Sequence, residues 1–238
     1  MDTYSQWKGW DPAQFGNYNR RDGRYYDWHV KRACGERPGL AVLEIGFGNG
    51  AFMGWLKAAG HTVVGVESNP ALVSSANAKG FQAFTAIESL PHDARFDLIA
   101  AFDVAEHIEP AALPGFLAKL REHSLPEGTL MLRFPNGDSP FGLLHQNGDL
   151  THCNAIGRSK LQQAASMSGW RLHQTGDAPW WADQVAPRNL RTVLRRATRH
   201  MLERLICFAY YNERLDLSPN MVALLKVASS ARSGSNRP

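Results

Sequence analysis

Residues 40–50 read "LAVLEIGFGNG". An apolar run of strand type passes directly into three glycines, Gly46, Gly48 and Gly50, and then into the helix-forming stretch "AFMGWLKAAG". Glycine at a strand-to-helix turn lets the backbone turn tightly and approach a ligand closely. A plain connection with no ligand is the alternative. Twenty-one residues after Gly46 the second apolar run, "TVVGVE", ends on Glu67. A carboxylate there can accept both hydroxyls of a ribose, so loop and acid together predict a nucleoside-binding turn.

Working outward, apolar runs and helical stretches alternate. A helix begins near "SNPALVSSANAKG", capped by Ser68 or Asn69, with Pro70 in its first turn. "FQAFTA" and "FDLIAAF" read as the third and fourth strands, "PAALPGFLAKLREHS" as a helix despite Pro114, and "GTLMLRFPN" as the fifth strand. "SKLQQAASMSGW" returns to helix, "RLHQTG" to strand, and "NMVALLKVAS" closes with a strand. This alternation predicts right-handed crossovers and a doubly wound, Rossmann-like α/β sheet. We expect one domain over 1–230, with a helical N-terminal cap (1–38), a long loop at the site (136–157), a basic helical insertion (185–217) and a disordered tail (231–238).

Composition agrees. The 238 residues, 44% hydrophobic and 20% charged, suffice for one full core without covalent staples. Cys34, Cys153 and Cys207 are scattered and lack metal-ligand spacing, as expected of reduced thiols in a cytoplasmic setting. "MDTYSQWKGWDP" has neither the basic start nor the apolar core of a secretion signal. No apolar run approaches the roughly 20 residues of a spanning helix. The net charge of +4 is local: residues 188–204 hold six arginines against one acid, Glu203. That argues against a general nucleic-acid surface.

Gly46, Gly48 and Ala51 also satisfy the loose dinucleotide pattern G-x-G-x-x-A. Glu44, however, stands where that use has an apolar residue. A pyrophosphate beside it would be repelled, whereas an ammonium or sulfonium ligand would be attracted. Glu44 therefore points to S-adenosylmethionine rather than a nicotinamide cofactor.

"VLEIGFGNG", "VVGVESNP", "FDLIAAFDVAEHIEP" and "LMLRFPN" together resemble a class I S-adenosylmethionine-dependent methyltransferase over roughly residues 22–176. The resemblance implies a seven-stranded sheet whose last strand runs antiparallel. It implies that Glu44 orients the loop and the methionine amino group, that Gly46, Phe47, Gly48 and Gly50 line the methionine end, and that Glu67 holds the ribose. Ser68 and Asn69 would flank the adenine, Ile87 and Glu88 cover its edge, and Phe102 and Asp103 edge the site. Arg24 falls where related O-methyltransferases place an arginine near the methionine carboxylate.

In "DVAEH", Asp103, Glu106 and His107 stand at i, i+3 and i+4, on one face if they open a helix. His107, with an ordinary pKa of about 6.5, suits a general base. Two carboxylates beside an imidazole can also hold a divalent cation such as Mg or Mn, which lowers the pKa of a bound hydroxyl. The stretch is similar to the E-x-x-E-H of the quinone-biosynthesis O-methyltransferases, with Asp103 one methylene shorter. The long loop "HQNGDLTH" adds His145, Asp149 and His152, His152 being the second candidate base or ligand, and Asn136 lies at the same rim. An N-P-P-type stretch of amino-group methylation is absent, which favours an oxygen acceptor.

Finally, Leu190, Val193, Leu194, Ala197, Met201, Leu205 and Phe208 recur at helical spacing, flanked by Arg188, Arg191, Arg195 and Arg199. This helix can pack its stripe on the domain, lie on an anionic membrane surface, or grip an acidic acceptor. The expected activity is O-methylation of a sugar or glycan hydroxyl, of the bacterial polysaccharide type. That acceptor is a small molecule or a lipid-linked glycan, met in the cytoplasm or peripherally at the inner membrane face. The alternatives are a phenol or quinone-precursor O-methyltransferase and a non-catalytic cofactor-binding partner protein.

Overall fold

A computed structural model describes residues 8–176, 190–211 and 213–228. Arg188 and the expected tail at 231–238 lie outside the described residues.

Seven strands form one sheet in the order β3-β2-β1-β4-β5-β7-β6. They are β1 (Ala41–Ile45), β2 (Thr62–Val66), β3 (Gln82–Phe84), β4 (Phe96–Phe102), β5 (Ser124–Pro135), β6 (Trp170–Thr175) and β7 (Asn220–Val227). The first five pair in parallel, and β7 inserts antiparallel between β5 and β6. The expected doubly wound sheet with an antiparallel last strand is therefore present.

Both faces are covered, which is why the central strands read as near-continuous apolar runs. Helices α4 (Leu113–Glu122) and α6 (Arg158–Met167) pack on one face, with Leu117, Leu120, Leu161 and Ala165 in a core shared with Leu43, Ile99, Leu132 and Ala223. Helices α1 (Arg20–Cys34), α2 (Ala51–Ala58) and α3 (Pro70–Ala78) cover the other, with Val30, Met53, Leu56 and Leu72 against Val42, Leu98 and Val222. Along β7 the period of two is explicit: Met221, Ala223 and Leu225 join the first core, Val222 and Leu224 the second.

Local signals place the element ends. Asn69, not Ser68, caps α3: its side chain accepts from the Ala71 N–H, with Pro70 at the first position. Pro114 sits in the first turn of α4, where no backbone donor is lost. The 136–157 loop has structure of its own: a 3₁₀ turn (Pro140–Gly142) and a single helical turn, α5 (Leu143–Gln146). An Asn136–Ile156 bridge closes its base. The basic insertion forms helix α7 (Leu190–Ile206), which widens into a π turn at Cys207–Tyr211. The order of strands switches between the parallel neighbours β1 and β4, and the crevice beyond their carboxyl ends is where such sheets bind ligands.

Candidate active site

The glycine turn leaves β1 into this crevice. Gly46 has φ 69°, and a Cβ there would lie 2.5 Å from Val104 Cγ2. Gly48 has φ 52°, and a Cβ would meet the Trp10 ring at 2.8 Å. Both the left-handed backbone and the close packing therefore require glycine. Gly50, also left-handed, precedes α2. Phe47 is buried, its ring edge-on to Phe15 at 5.7 Å.

Glu44, only 4% exposed, ends near this turn, and its Oε2 has no hydrogen-bond partner among the described residues. Burial first, and the Glu67 charge second, push its carboxyl well above the ordinary range. Glu67 is buried at the end of β2 and is oriented by backbone: Oε2 accepts from the Gly48 N–H at 3.1 Å, Oε1 from the Asn69 N–H at 3.1 Å and from Ser68 Oγ at 3.2 Å. Two buried carboxylates thus face one turn, and neither forms an ion pair among the described residues. An orphaned buried carboxylate oxygen beside glycines that tolerate no side chain fits a ligand carrying an ammonium and a sulfonium. It does not fit a pyrophosphate.

Two expected contacts, Arg24 and Glu88, are placed differently, while Asn136 stands at the rim directly after β5 as expected. Arg24 is exposed and lines a cleft on α1 with Tyr18, Arg20, Trp28, Lys31 and Arg32; no glycine-turn residue lines that cleft. Glu88, in the 3₁₀ turn Ile87–Ser89, turns out to an ion pair with Lys119 on α4, while Ile87 packs against the core. Asn136 is buried and spends its amide on the carbonyls of Asp216 and Ser218, pinning the loop base. Sequence reasoning overlooked Tyr26, whose ring stacks on Phe102 at 6.2 Å and whose phenol is raised by burial and then by the Glu44 charge.

Beyond β4 the chain does not open a helix carrying Asp103, Glu106 and His107 on one face. Asp103 takes φ 55°, a left-handed conformation rare outside glycine. Only one 3₁₀ turn, Ala105–His107, follows. The Asp103 carboxylate is gripped at both oxygens by Arg133, through Nε at 3.0 Å and through Nη2. Arg133 is the neighbour of Phe102 in the β4–β5 register, and its guanidinium lies 5.2 Å from the Phe102 ring. A charge within the apolar run "LMLRFPN" was the available signal for this pair, since a cation drawn even half out of water needs a partner.

The place expected for Asp103 is taken by His152. Its loop limb is stitched to the 3₁₀ turn: the N–H groups of Cys153 and Asn154 donate to the Glu106 carbonyl at 3.0 and 3.1 Å, and Asn154 Nδ2 donates to the Ile108 carbonyl at 3.0 Å. One ligand atom each from Glu106, His107 and His152 then lie within 4.8 Å of one another. His145 is exposed and outside this group.

Hydrogen bonding assigns the imidazole protons. Thr151 Oγ1 donates to Asp149 Oδ1 at 2.6 Å, so its 2.9 Å contact with His107 Nδ1 requires that nitrogen to donate. His107 Nε2 is left with its lone pair. His152 Nδ1 donates to the Gln146 carbonyl at 3.0 Å, leaving Nε2 at 3.9 Å from both Glu106 Oε1 and Asp149 Oδ2. Although burial opposes it, bonds from Thr151 and Lys8 hold the Asp149 carboxyl well below its usual range. Lys8 Nζ stands 3.2 Å from Asp149. Burial and then His152 lower His107, keeping it a neutral base near pH 7. Glu106, 1% exposed and with Oε2 unpartnered among the described residues, is raised to about 8, by burial first and Asp103 second.

With this geometry in hand, the comparisons define the class. Residues 17–175 match the family described as Methyltransferase domain, and the chain belongs to that family. Solved structures agree on the fold. A SAM-dependent methyltransferase from Archaeoglobus fulgidus superposes with a TM-score of 0.65 at 19% identity, covering 94% of this chain and 100% of its own. Magnesium protoporphyrin IX methyltransferase from Synechocystis, with bound SAH, gives 0.57 at 16% identity, covering 95% and 94%. A 1,6-didemethyltoxoflavin N1-methyltransferase from Burkholderia thailandensis, also with SAH, gives 0.55 at 14%, covering 88% and 80%. No curated protein matches the sequence. The protein is a class I S-adenosylmethionine-dependent methyltransferase. Among the described residues no helix is long and apolar enough to cross a membrane.

Proposed function

We propose that the protein methylates a hydroxyl oxygen of a sugar or glycan, carried to the site on a lipid anchor at the cytoplasmic face of the membrane. The observation that carries the oxygen reading is the Asp149–Thr151–His107 chain, which commits Nδ1–H of His107 and leaves Nε2 as a neutral acceptor. A hydroxyl must lose its proton as the new C–O bond forms. His107 Nε2 takes that proton in this reading. Asp149 supports the imidazolium that results, and Lys8 holds Asp149 in place. When bound, S-adenosylmethionine supplies an electrophilic methyl on a positively charged sulfur. Glu44 would hold its ammonium group and Glu67 its ribose hydroxyls. Phe47, Phe102 and Tyr26 exclude water from that side. The basic, apolar surface of α7 supports an anionic, lipid-carried acceptor over a free phenol or quinone precursor.

A second reading is favoured by the unpartnered Oε2 of Glu106. Glu106, His107 and His152 offer a donor set suited to a divalent cation, and two imidazoles favour Mn over Mg. Such an ion would lower the pKa of a bound hydroxyl in place of base catalysis.

An acceptor screen with methyl-labelled cofactor, covering nucleotide sugars, polysaccharide fragments and catechols, tests the proposal. Label transfer to a sugar oxygen, accompanied by release of S-adenosylhomocysteine, supports it. Transfer only to a catechol moves the acceptor to the phenol class, and cofactor binding without any transfer makes the protein a binding partner. Insensitivity to EDTA, with no Mn uptake in calorimetry, removes the cation.

A further inference from the structure

Helix α7 carries its apolar stripe exposed. At 100° per residue, Leu190, Leu194, Met201 and Leu205 fall within about 60° of one another on one face, and Phe208 continues that line. In a helix packed on its own domain this stripe would be buried. Here it faces away from the domain, with Leu190 80% and Phe208 82% exposed. Every described residue from 190 to 202 is exposed, and the helix meets the protein on its other side only towards its end, where Glu203 and Ile206 are half-buried. Arg199 pairs with Glu203 at 2.7 Å and donates to Ser218 Oγ at 3.1 Å, and Cys207, one π turn on, is buried. Arg191, Arg195 and Arg204 make no ion pair among the described residues.

A second apolar element lies beside the candidate active site. Phe141, Leu143, Leu144 and Leu150, on the loop that carries His152, are all exposed. Loop and helix are tied to the same short segment. Ser139 Oγ donates to the Leu217 carbonyl at 2.8 Å, Arg199 reaches Ser218, and Cys207 Sγ lies 3.8 Å from the Leu215 carbonyl. That segment leads into β7 at the rim where β5 ends, since Pro135 pairs with Asn220.

A water-facing apolar stripe bordered by arginines has two natural occupants. A second copy would bring the two sets of arginines together across a twofold axis, at a repulsive cost. An anionic lipid surface accepts both the apolar side chains and the charge. We infer that α7 and the Phe141–Leu150 loop dock the protein on an anionic bilayer, the apolar stripe entering the headgroup boundary and the arginines pairing with lipid phosphates. Docking stands on this surface alone. Its use, delivery of a lipid-linked acceptor to the rim beside His107 and His152, rests on the function proposed above.

The test is flotation of the full chain with vesicles of phosphatidylcholine alone and with added phosphatidylglycerol. The protein should float with the anionic vesicles only, and less as salt rises. Neutralising Arg191, Arg195 and Arg204 to Gln should weaken binding about fivefold each, equivalent to about 1 kcal/mol per residue, or roughly 100-fold together. Leu194→Glu with Leu205→Glu should abolish it. Unchanged calorimetric binding of S-adenosylmethionine checks that the variants are folded. Equal binding to neutral vesicles, binding unaffected by the arginine changes, or no flotation at all overturns the inference. So does a concentration-dependent dimer, without flotation, that Leu205→Glu dissociates. Loss of flotation with methyl transfer to a soluble acceptor intact marks failure of docking alone. Flotation as expected with no transfer to any acceptor marks failure of the function.

Discussion

The two halves of the crevice handle negative charge in opposite ways. On the cofactor side Glu44 and Glu67 are buried and unpaired among the described residues, and are oriented by backbone N–H groups and packing. On the acceptor side Asp103 is matched by Arg133 and Asp149 by Lys8. Burial and the Glu67 charge raise the Glu44 carboxyl well above its ordinary range, and a cationic ligand is what would favour its charged form there. Asp103 and Asp149 paired in this way, with the buried Glu106 carboxyl raised to about 8, suit a neutral nucleophile beside a neutral imidazole. In the proposed function the contrast separates two roles, affinity for the sulfonium donor on one side and proton management on the other.

The sharpest way to break this division is His107→Ala. It should lower kcat by roughly 10²- to 10⁴-fold while the Kd for S-adenosylmethionine stays within about twofold. A large change in Kd, read by calorimetry, would mean that the halves are not separate. Glu67→Ala should do the reverse. Losing charge-assisted bonds to two hydroxyls, each worth about 1.5–3 kcal/mol, predicts cofactor binding weaker by about 100-fold or more. A variant that still binds tightly would remove Glu67 from the ribose.

Glu106 sharpens the comparison through pH. Its carboxyl is raised from 4.5 to about 8, so between those values the folded state holds a proton that the unfolded state has lost. Its contribution to stability is therefore full below pH 4.5 and declines as pH rises towards 8. Denaturant titrations should show Glu106→Gln matching the parent near pH 4.5 and exceeding it near pH 8, by on the order of a few kcal/mol. A parent equally stable at both values, once other groups are matched, would mean Glu106 is not held protonated. The smallest effect is expected at Asp103→Asn. The pair with Arg133 is partly solvated, so its loss should cost about 1 kcal/mol in chemical unfolding and leave Glu106 and His152 in place. Loss of Mn uptake in that variant would return Asp103 to the ligand set.

Legibility of the site followed the reach of each interaction. Glu44, the glycines and Glu67 are neighbours along strand ends, so spacing alone brought them together. Arg133, Trp10 and Tyr26 come from other parts of the chain, and no periodicity pointed to them. Asp103 was misplaced because i, i+3, i+4 spacing implies a shared face only within a helix, and the backbone turns left-handed at that residue.

The sequence by itself determined the sheet, the glycine turn and the acidic residues beside it, because apolar periodicity, glycine and charge act over a few residues. Only the tertiary structure decided that His152 rather than Asp103 joins Glu106 and His107, since that depends on where a long loop returns. It alone decided, too, that the stripe of α7 faces outward: helical periodicity defines a stripe but not its direction.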